Sequence, residues 1–418
     1  MSAGSTIHIE RVIIADAFGG FYNDDQLAIR TGAQRDGLFY KGTPLTPGFQ
    51  SIREPARALS IGLVLSDGFV AWGDAMTVQY SGVAGREPRL IPETRRPCLE
   101  AAANRALAGR PVLSFRELAQ ILATHGAFAS EPPSSSYGVS QALLSAVAWQ
   151  RRLTMAEVLA QEYDMPLIPH AVPLYAQCGE DRYGNVDKMI ARRVGFLPQA
   201  LINHRDLVGD DGGVLLKYVA WLNGRLLQFG DSDYLPTLHI DVYGCIGEIC
   251  GMDIVRIAKY LTQLERAASP YALQIEAVAD FGEREAHAAG FAAIRAELKR
   301  LGSAVKLVVD EWCNSLDDFD AFIAAEAADL IQIKMPDMGS LDATMRGVLK
   351  CRVAGVGVYL GGSCTETDIS ARAAVHVGIA GQVDMLLVKP GMGVDEGYML
   401  VANEQARTLL QLAARSHS

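Results

Sequence analysis

From residue 172 onward the chain repeats one unit, a short apolar run followed by a segment whose apolar residues recur at helical spacing. The runs are VPLYAQ (172–177), VGFLPQALI (194–202), TLHIDVYG (237–244), LQIEAV (273–278), KLVVDEW (306–312), LIQIKMP (330–336), VGVYLGG (356–362) and MLLVKPG (385–391). Runs of this length predict strands buried on both faces, and helical connections between them predict parallel neighbours. Eight such units predict an α/β fold closed into a TIM-type (β/α)8 barrel. An open doubly wound sheet is the alternative. It is disfavoured because no G-x-G-x-x-G or Walker-type loop occurs: the nearest stretch, Gly355-Val356-Gly357, lacks the third glycine and starts a strand instead of following one.

The preceding residues have a different rhythm, strands first and helices after. Two apolar runs between Ser60 and Gly73 are joined by Ser66-Asp67-Gly68, which is hairpin chemistry because Asp-Gly tolerates positive φ. From Pro92 to about Tyr163 the apolar residues fall at three-to-four spacing, interrupted by Ser130 to Ser136, whose prolines and serines predict a loop. Pro166, Pro169 and Pro173 interrupt any helix, so a boundary is expected there. The expected division is an α+β N-terminal domain over 1–165 and the barrel over 166–418.

At 418 residues, half of them hydrophobic and 21% charged, the chain can bury more than one ordinary core. Its net charge is −10, from 38 Lys plus Arg against 48 Asp plus Glu, and its most basic stretch is the one around Arg192 and Arg193. That balance disfavours nucleic acid and anionic membrane as partners. The opening, MSAGSTIHIERVII, lacks the basic-then-apolar pattern of a secretory leader, and no apolar window is long enough to span a bilayer, so a soluble cytoplasmic protein is expected. The seven cysteines are an odd number without a C-x-x-C pair, which predicts neither a disulfide framework nor a zinc site.

Four consecutive runs carry, at or near their ends, a charged residue that apolar packing would not select: Asp241, Glu276, Asp310 and Lys334. Spaced by about one strand-plus-helix unit, they converge on the C-terminal mouth of a barrel, where such folds place their active sites. Three carboxylates brought together repel one another unless a cation lies between them, and oxygen-only ligation suits a hard ion, Mg²⁺ or Mn²⁺. Capping of the next helix would explain any one of these acids alone, but not three in succession followed by a lysine. A hard cation beside a lysine suits removal of a weakly acidic proton next to a carboxylate, with the ion opposing the charge that develops. The lysine must be neutral to act as the base, a state that burial and a nearby divalent cation favour.

Several longer segments carry a family resemblance: GFYNDDQLAI (20–29), VQYSGVAGREP (78–88), AQCGEDRYGNVDKMI (176–190), LHIDVYG (238–244), VVDEWCN (308–314), QIKMPDMG (332–339), GGSCTET (361–367) and KPGMGVDEG (389–397). Over nearly its whole length the chain resembles the methylaspartate ammonia-lyases of the enolase superfamily. The resemblance implies that the N-terminal domain caps the barrel, that Asp241, Glu276 and Asp310 ligate Mg²⁺, and that Lys334 is the base. It implies substrate contacts at Gln177, Gln199, Gln332, Ser363 and Cys364. Similar enzymes are homodimers that use Mg²⁺ with a monovalent cation such as K⁺. They act on a small amino diacid, (2S,3S)-3-methylaspartate, giving mesaconate and ammonia in glutamate fermentation. Amides and a hydroxyl suit such a substrate because they can donate to its carboxylates.

The chain departs from the family pattern at four places. Leu-Pro-His becomes Leu197-Pro198-Gln199, Ile-Glu-Gly-Pro becomes Ile275-Glu276-Ala277-Val278, Lys-Thr-Pro-Asp-Leu-Gly-Gly becomes Lys334-Met335-Pro336-Asp337-Met338-Gly339-Ser340, and a binding threonine becomes Ser363. Ser363 keeps the hydroxyl, whereas Gln199 removes a titratable group. His204 is the nearest histidine and is expected on the loop beyond the strand, while His239 is expected to pack beside the site and not to ligate. The alternatives are a lyase for another 3-substituted aspartate, a related acid-sugar dehydratase or cycloisomerase, and a non-catalytic relative. The intact carboxylates and lysine argue against the last.

Overall fold

The computed structural model describes residues 6–416, so the first five residues of the segment read for a leader lie outside the described residues. The chain opens with β1 (Ile9–Asp24), the short helix α1 (Gln26–Arg30) and a small hairpin of β2 (Gln34–Asp36) and β3 (Phe39–Lys41). β4 (Arg53–Leu65) returns along β1, and β5 (Val70–Ala75) along β4, in one antiparallel sheet. The β4–β5 connection is the hairpin that Asp67-Gly68 predicts.

Four helices follow: α2 (Pro92–Leu107), α3 (Phe115–Thr124), α4 (Pro133–Arg151) and α5 (Met155–Glu162). Two expectations change here. The stretch 130–136 is helical from Pro133, because proline serves as the first helical residue, where its missing N–H has no partner to lose. The helical spacing that runs on to about Tyr163 is divided between two helices, since Arg152 turns into the left-handed region (φ 54°) and Thr154 starts α5 with a capping box closed by Glu157.

All eight apolar runs of the second half form strands of one closed barrel. In chain order these are β6 (Leu174–Gln177), β7 (Phe196–Gln199), β8 (Thr237–Asp241), β9 (Leu273–Glu276), β10 (Lys306–Val309), β11 (Leu330–Ile333), β12 (Gly357–Leu360) and β13 (Met385–Leu387). Between them run α6 (Gly184–Ala191), α7 (Gly213–Phe229), α8 (Cys245–Ile249), α9 (Ile254–Ala268), α10 (Arg284–Arg300), α11 (Leu316–Ala324), the short α12 (Met335–Met338), α13 (Leu341–Ala354) and α14 (Asp368–Gly381), and α15 (Asp395–Ser416) follows the last strand. The open-sheet alternative is thereby excluded. Most strands stop before their apolar runs do. After four of them the backbone curls across the mouth through left-handed residues: Leu201, Tyr243, Ala277 and Trp312. Tyr175, Val308, Leu330, Tyr359, Met385 and Leu387 fill the barrel interior, so the mouth is closed from below by a packed core. No helix among the described residues is long and apolar enough to cross a membrane.

Two close approaches set the geometry above the mouth. Gly19 and Gly20 lie in β1, where an added Cβ would fall 2.0 Å from the Thr365 carbonyl oxygen and 2.4 Å from Pro390 Cβ, so only glycine lets β1 rest on the loops after β12 and β13. Behind the sheet, a Cβ on Gly73 of β5 would fall 2.2 Å from the Gly138 carbonyl oxygen of α4, and one on Gly138 would fall 2.6 Å from the Ala75 nitrogen. Backbone against backbone leaves nothing to rotate away. Gly73→Ala should therefore destabilise the protein by about 1–3 kcal/mol through overpacking, read as a lower urea midpoint at unchanged slope.

Candidate active site

The barrel sets the four charged residues in neighbouring places along its rim. Asp241 ends β8 and Glu276 ends β9, in register with each other, while Asp310 and Lys334 are the first residues after β10 and β11. One carboxylate oxygen from each of Asp241, Glu276 and Asp310 lies within 4.8 Å of the others, and all three side chains are buried. These residues could hold a metal ion. Lys334 Nζ donates to Asp310 Oδ2 at 2.5 Å, so the lysine stands against the same cluster.

Each carboxylate has further partners. Asp241 Oδ1 accepts the Tyr243 backbone N–H at 3.1 Å and its Oδ2 accepts Gln199 Nε2 at 3.1 Å. Glu276 Oε1 accepts Gln332 Nε2, and its Oε2 lies 2.7 Å from His239 Nε2. His239 is fully buried, its Nδ1 3.0 Å from Gln274 Oε1, and burial pushes it down to about 3, so it stays neutral and packs beside the triad. Asp310 Oδ1 accepts Arg86 Nη2 at 3.0 Å, and Arg86 Nε donates to Asp337 Oδ2 at 3.1 Å.

The mouth holds more buried negative charge than its own cations balance. Asp241, Glu276, Asp310, Glu311 and Asp337 are all buried, and the cations among them are Arg86 and Lys334. Burial, then repulsion from Glu276, pushes Asp241 well above the usual carboxylate range; burial, then repulsion from Asp310, does the same to Glu276. Burial pushes Glu311 up to about 7 and raises Asp337 despite Arg86. Asp310 behaves differently from the expectation for a clustered acid: burial opposes its charge, but Lys334 and Arg86 outweigh burial and hold it below the ordinary value. Gln332 Oε1 is buried without a partner, as is Glu311 Oε2. Surplus buried anions together with an orphaned acceptor suit a divalent cation.

One cavity joins this cluster to the other expected positions. Gln177, Gln199, Gln332, Ser363 and Cys364 line it together with Asp241 and Lys334. The glutamines differ from amides left free to donate to a ligand's carboxylates. Gln177 Nε2 donates to the carbonyls of Val388 (2.9 Å) and Gly391 (3.2 Å), and Gln199 Nε2 to Asp241 and to the Tyr243 hydroxyl (2.7 Å). With Gln332 Nε2 on Glu276, all three amide nitrogens are spent on acceptors of the protein. Ser363 Oγ accepts the Gln79 backbone N–H at 2.9 Å, and Cys364 Sγ lies 3.4 Å from Gln79 Oε1. Below this loop, Lys389 Nζ donates to Glu366 Oε1 (2.7 Å) and to the Gly361 carbonyl (2.8 Å), and Glu366 Oε1 also accepts Ser363 N–H (3.1 Å). A fully buried ion pair thus grips both sides of Gly362.

His204 sits, as expected, beyond β7 on the connecting loop, partly exposed and outside the cavity wall, where it caps a single 3-10 turn. The sequence reading missed Gln79, Tyr80, Arg86 and Tyr243, all in that wall. The first three come from 78–88, which has no strand or helix period. Only its place among the family-like segments signalled it.

The fold and site together are a closed parallel barrel with three carboxylates at the ends of consecutive strands and a lysine beside them. The muconate lactonizing enzyme of Pseudomonas fluorescens shares that fold at 16% identity (TM-score 0.62, 91% of this chain and 87% of that one). Residues 7–164 match the family description "Methylaspartate ammonia-lyase N-terminus" and residues 166–414 match "Methylaspartate ammonia-lyase C-terminus". The chain belongs to the methylaspartate ammonia-lyase family. It is 46% identical to "Methylaspartate ammonia-lyase 1" of Carboxydothermus hydrogenoformans over 96% of each chain. Among solved structures it is similar to the Citrobacter amalonaticus methylaspartate ammonia lyase containing (2S,3S)-3-methylaspartic acid (TM-score 0.94, 43% identity, 97% of this chain and 100% of that one). It is also similar to the Mg complex of the Clostridium tetanomorphum beta-methylaspartase (TM-score 0.91, 40% identity, 98% and 100%).

The raised Asp241 and Glu276 give a test of the cation site that needs no turnover. A carboxyl raised in the metal-free protein keeps its proton until the pH climbs through the raised value, and a bound cation must displace that proton. Mg²⁺ binding should release protons, and affinity should weaken as the pH is lowered. Calorimetry in two buffers of different ionisation heat measures the release; identical heats and a pH-independent affinity would contradict it.

Proposed function

We propose that the protein eliminates ammonia from (2S,3S)-3-methylaspartate to give mesaconate, with Lys334 taking the C3 proton. The observation that carries this reading is Lys334 standing at the rim of the carboxylate cluster, in the wall of the cavity lined by Gln177, Gln199, Gln332, Ser363 and Cys364. Asp241, Glu276 and Asp310 would hold Mg²⁺, and the chemistry the ion supplies there is positive charge opposite the carboxylate whose charge grows as C3 is deprotonated.

The residues divide the remaining work. Lys334 leaves Asp310 and accepts the proton from C3; the C2–N bond then breaks, ammonia departs with the bonding pair, and the C2–C3 double bond forms. Gln177 and Gln332 have their amide nitrogens held by protein acceptors, so their acceptor oxygens are the atoms left to meet the substrate's ammonium group. Ser363 and Cys364, held against Gln79, position the substrate from the loop after the neighbouring strand β12. The reading extends to a capping domain over 1–165 and a catalytic barrel over 166–418. A homodimer, a monovalent cation such as K⁺, a cytoplasmic location and a place in glutamate fermentation belong to it through the resemblance alone.

Ammonia release from (2S,3S)-3-methylaspartate in Mg²⁺, within a panel of 3-substituted aspartates, tests the assignment. Release should stop on chelation and return with Mg²⁺. Lys334→Ala should lower turnover by about two to four orders of magnitude, the usual range for loss of a general base, and should abolish exchange of the C3 hydrogen with D₂O. Normal exchange in that variant would show that another group is the base.

Gln199 adds a stereochemical expectation, because it stands where the family pattern has histidine. Its amide is bonded to Asp241 and Tyr243 and cannot accept a proton near neutral pH. The protein should deaminate the threo substrate and handle the (2S,3R) epimer poorly, and Gln199→His should add activity on that epimer. Equal rates on both epimers by the unaltered protein would require a second base.

A further inference from the structure

We propose that Arg86 is a positioning residue that limits the hold on Lys334 to a single Asp310 oxygen, by occupying the other oxygen of Asp310 and the carboxylate of Asp337. The inference rests on Lys334 being the base and assigns a role to 78–88, the one family-like segment from outside the barrel whose residues enter the cavity wall.

Arg86 is a guanidinium whose side chain is 1% exposed, set between two carboxylates that flank Lys334 in sequence and in space. Its Nη2 holds Asp310 Oδ1 and its Nε holds Asp337 Oδ2, while Lys334 reaches Asp310 through the other oxygen. Asp337 lies in α12, three residues after Lys334, and is buried with Arg86 as its one hydrogen-bond donor among the described contacts. Without Arg86, Asp310 and Asp337 would be two buried carboxylates with Lys334 as the nearest cation, and a lysine pinned between them cannot reach a substrate carbon. A fork of fixed donors suits holding two carboxylates apart; an ammonium is a single point of charge.

The loop is built to fix this guanidinium. Asn314 Nδ2, from the segment that follows Asp310, donates to the Ala84 carbonyl at 2.8 Å. Glu87 Oε1 accepts the Ser134 N–H at the start of α4 at 2.8 Å, and Gly82 N–H closes the loop onto the Glu87 carbonyl at 2.8 Å. Arg86 is therefore tied both to the barrel mouth and to the helices behind the N-terminal sheet.

The experiment follows C3-hydrogen exchange in D₂O, Mg²⁺ affinity by calorimetry and thermal unfolding for Arg86→Lys and Arg86→Ala in the full chain with Mg²⁺. Arg86→Lys keeps the charge but reaches one carboxylate, and should slow exchange by about a hundredfold, the scale of a small misplacement of a catalytic group, while Mg²⁺ affinity changes little. Arg86→Ala should lose at least as much and recover in part when methylguanidine is added. Exchange at the normal rate in Arg86→Lys would overturn the proposal. So would a loss that runs parallel to Mg²⁺ affinity and does not respond to methylguanidine, which would assign Arg86 to the triad instead of the lysine. If Arg86→Ala does not fold, Arg86→Lys decides alone. Failure here is distinct from failure of the base assignment: in the first case Lys334→Ala still abolishes exchange, and in the second it does not.

Discussion

A surplus of carboxyl groups over cations, buried at one end of a barrel, is the constraint around which this molecule is arranged. Asp241, Glu276, Asp310, Glu311 and Asp337 are all withdrawn from water, where an unpaired carboxylate is strongly disfavoured. Parallel strands bring the first three together because each βα unit returns the chain to the same rim. The barrel itself supplies Lys334, and the second cation, Arg86, arrives from a separate part of the chain. The site is consequently complete only when the N-terminal segment is folded over the mouth.

That covering is a backbone affair as much as a side-chain one. Gly19 and Gly20 let β1 lie directly on the loops after β12 and β13, with Gly20 N–H donating to the Glu366 carbonyl at 2.9 Å. The loop so covered carries Ser363 and Cys364 and is held from below by Lys389 and Glu366, both fully buried. A buried ion pair of this kind adds little net stability over well-packed apolar residues. Its effect here is geometric: it fixes the Gly361 carbonyl and the Ser363 N–H, and with them the side chains that face the cavity.

The glutamines of the cavity wall are held in place by the protein itself. Each amide nitrogen is anchored to a carboxylate, hydroxyl or carbonyl of the protein, so the side chains are oriented before any ligand arrives. Gln199 illustrates this, since its amide ties Asp241 to the Tyr243 hydroxyl and is not itself titratable.

The sequence determined the barrel, because eight apolar runs at strand length separated by helical segments admit few other folds, and it determined the acids and lysine, because charged residues at the ends of buried strands have no packing reason to be there. Resemblance pointed to Gln177, Gln199, Gln332, Ser363 and Cys364, and all five line one cavity. Local expectations failed where a single residue overrode a pattern, as Pro133 did by starting a helix and Arg152 by ending one. What only the tertiary structure decided was the pairing: Arg86 with Asp310 across 224 positions, Gln79 with Ser363 across 284, and the orientation of each glutamine amide. Periodicity reports which face of an element is buried, but a loop such as 78–88 has no period. The partners of a buried charge are fixed by which distant segments the closed fold brings within a hydrogen bond's reach.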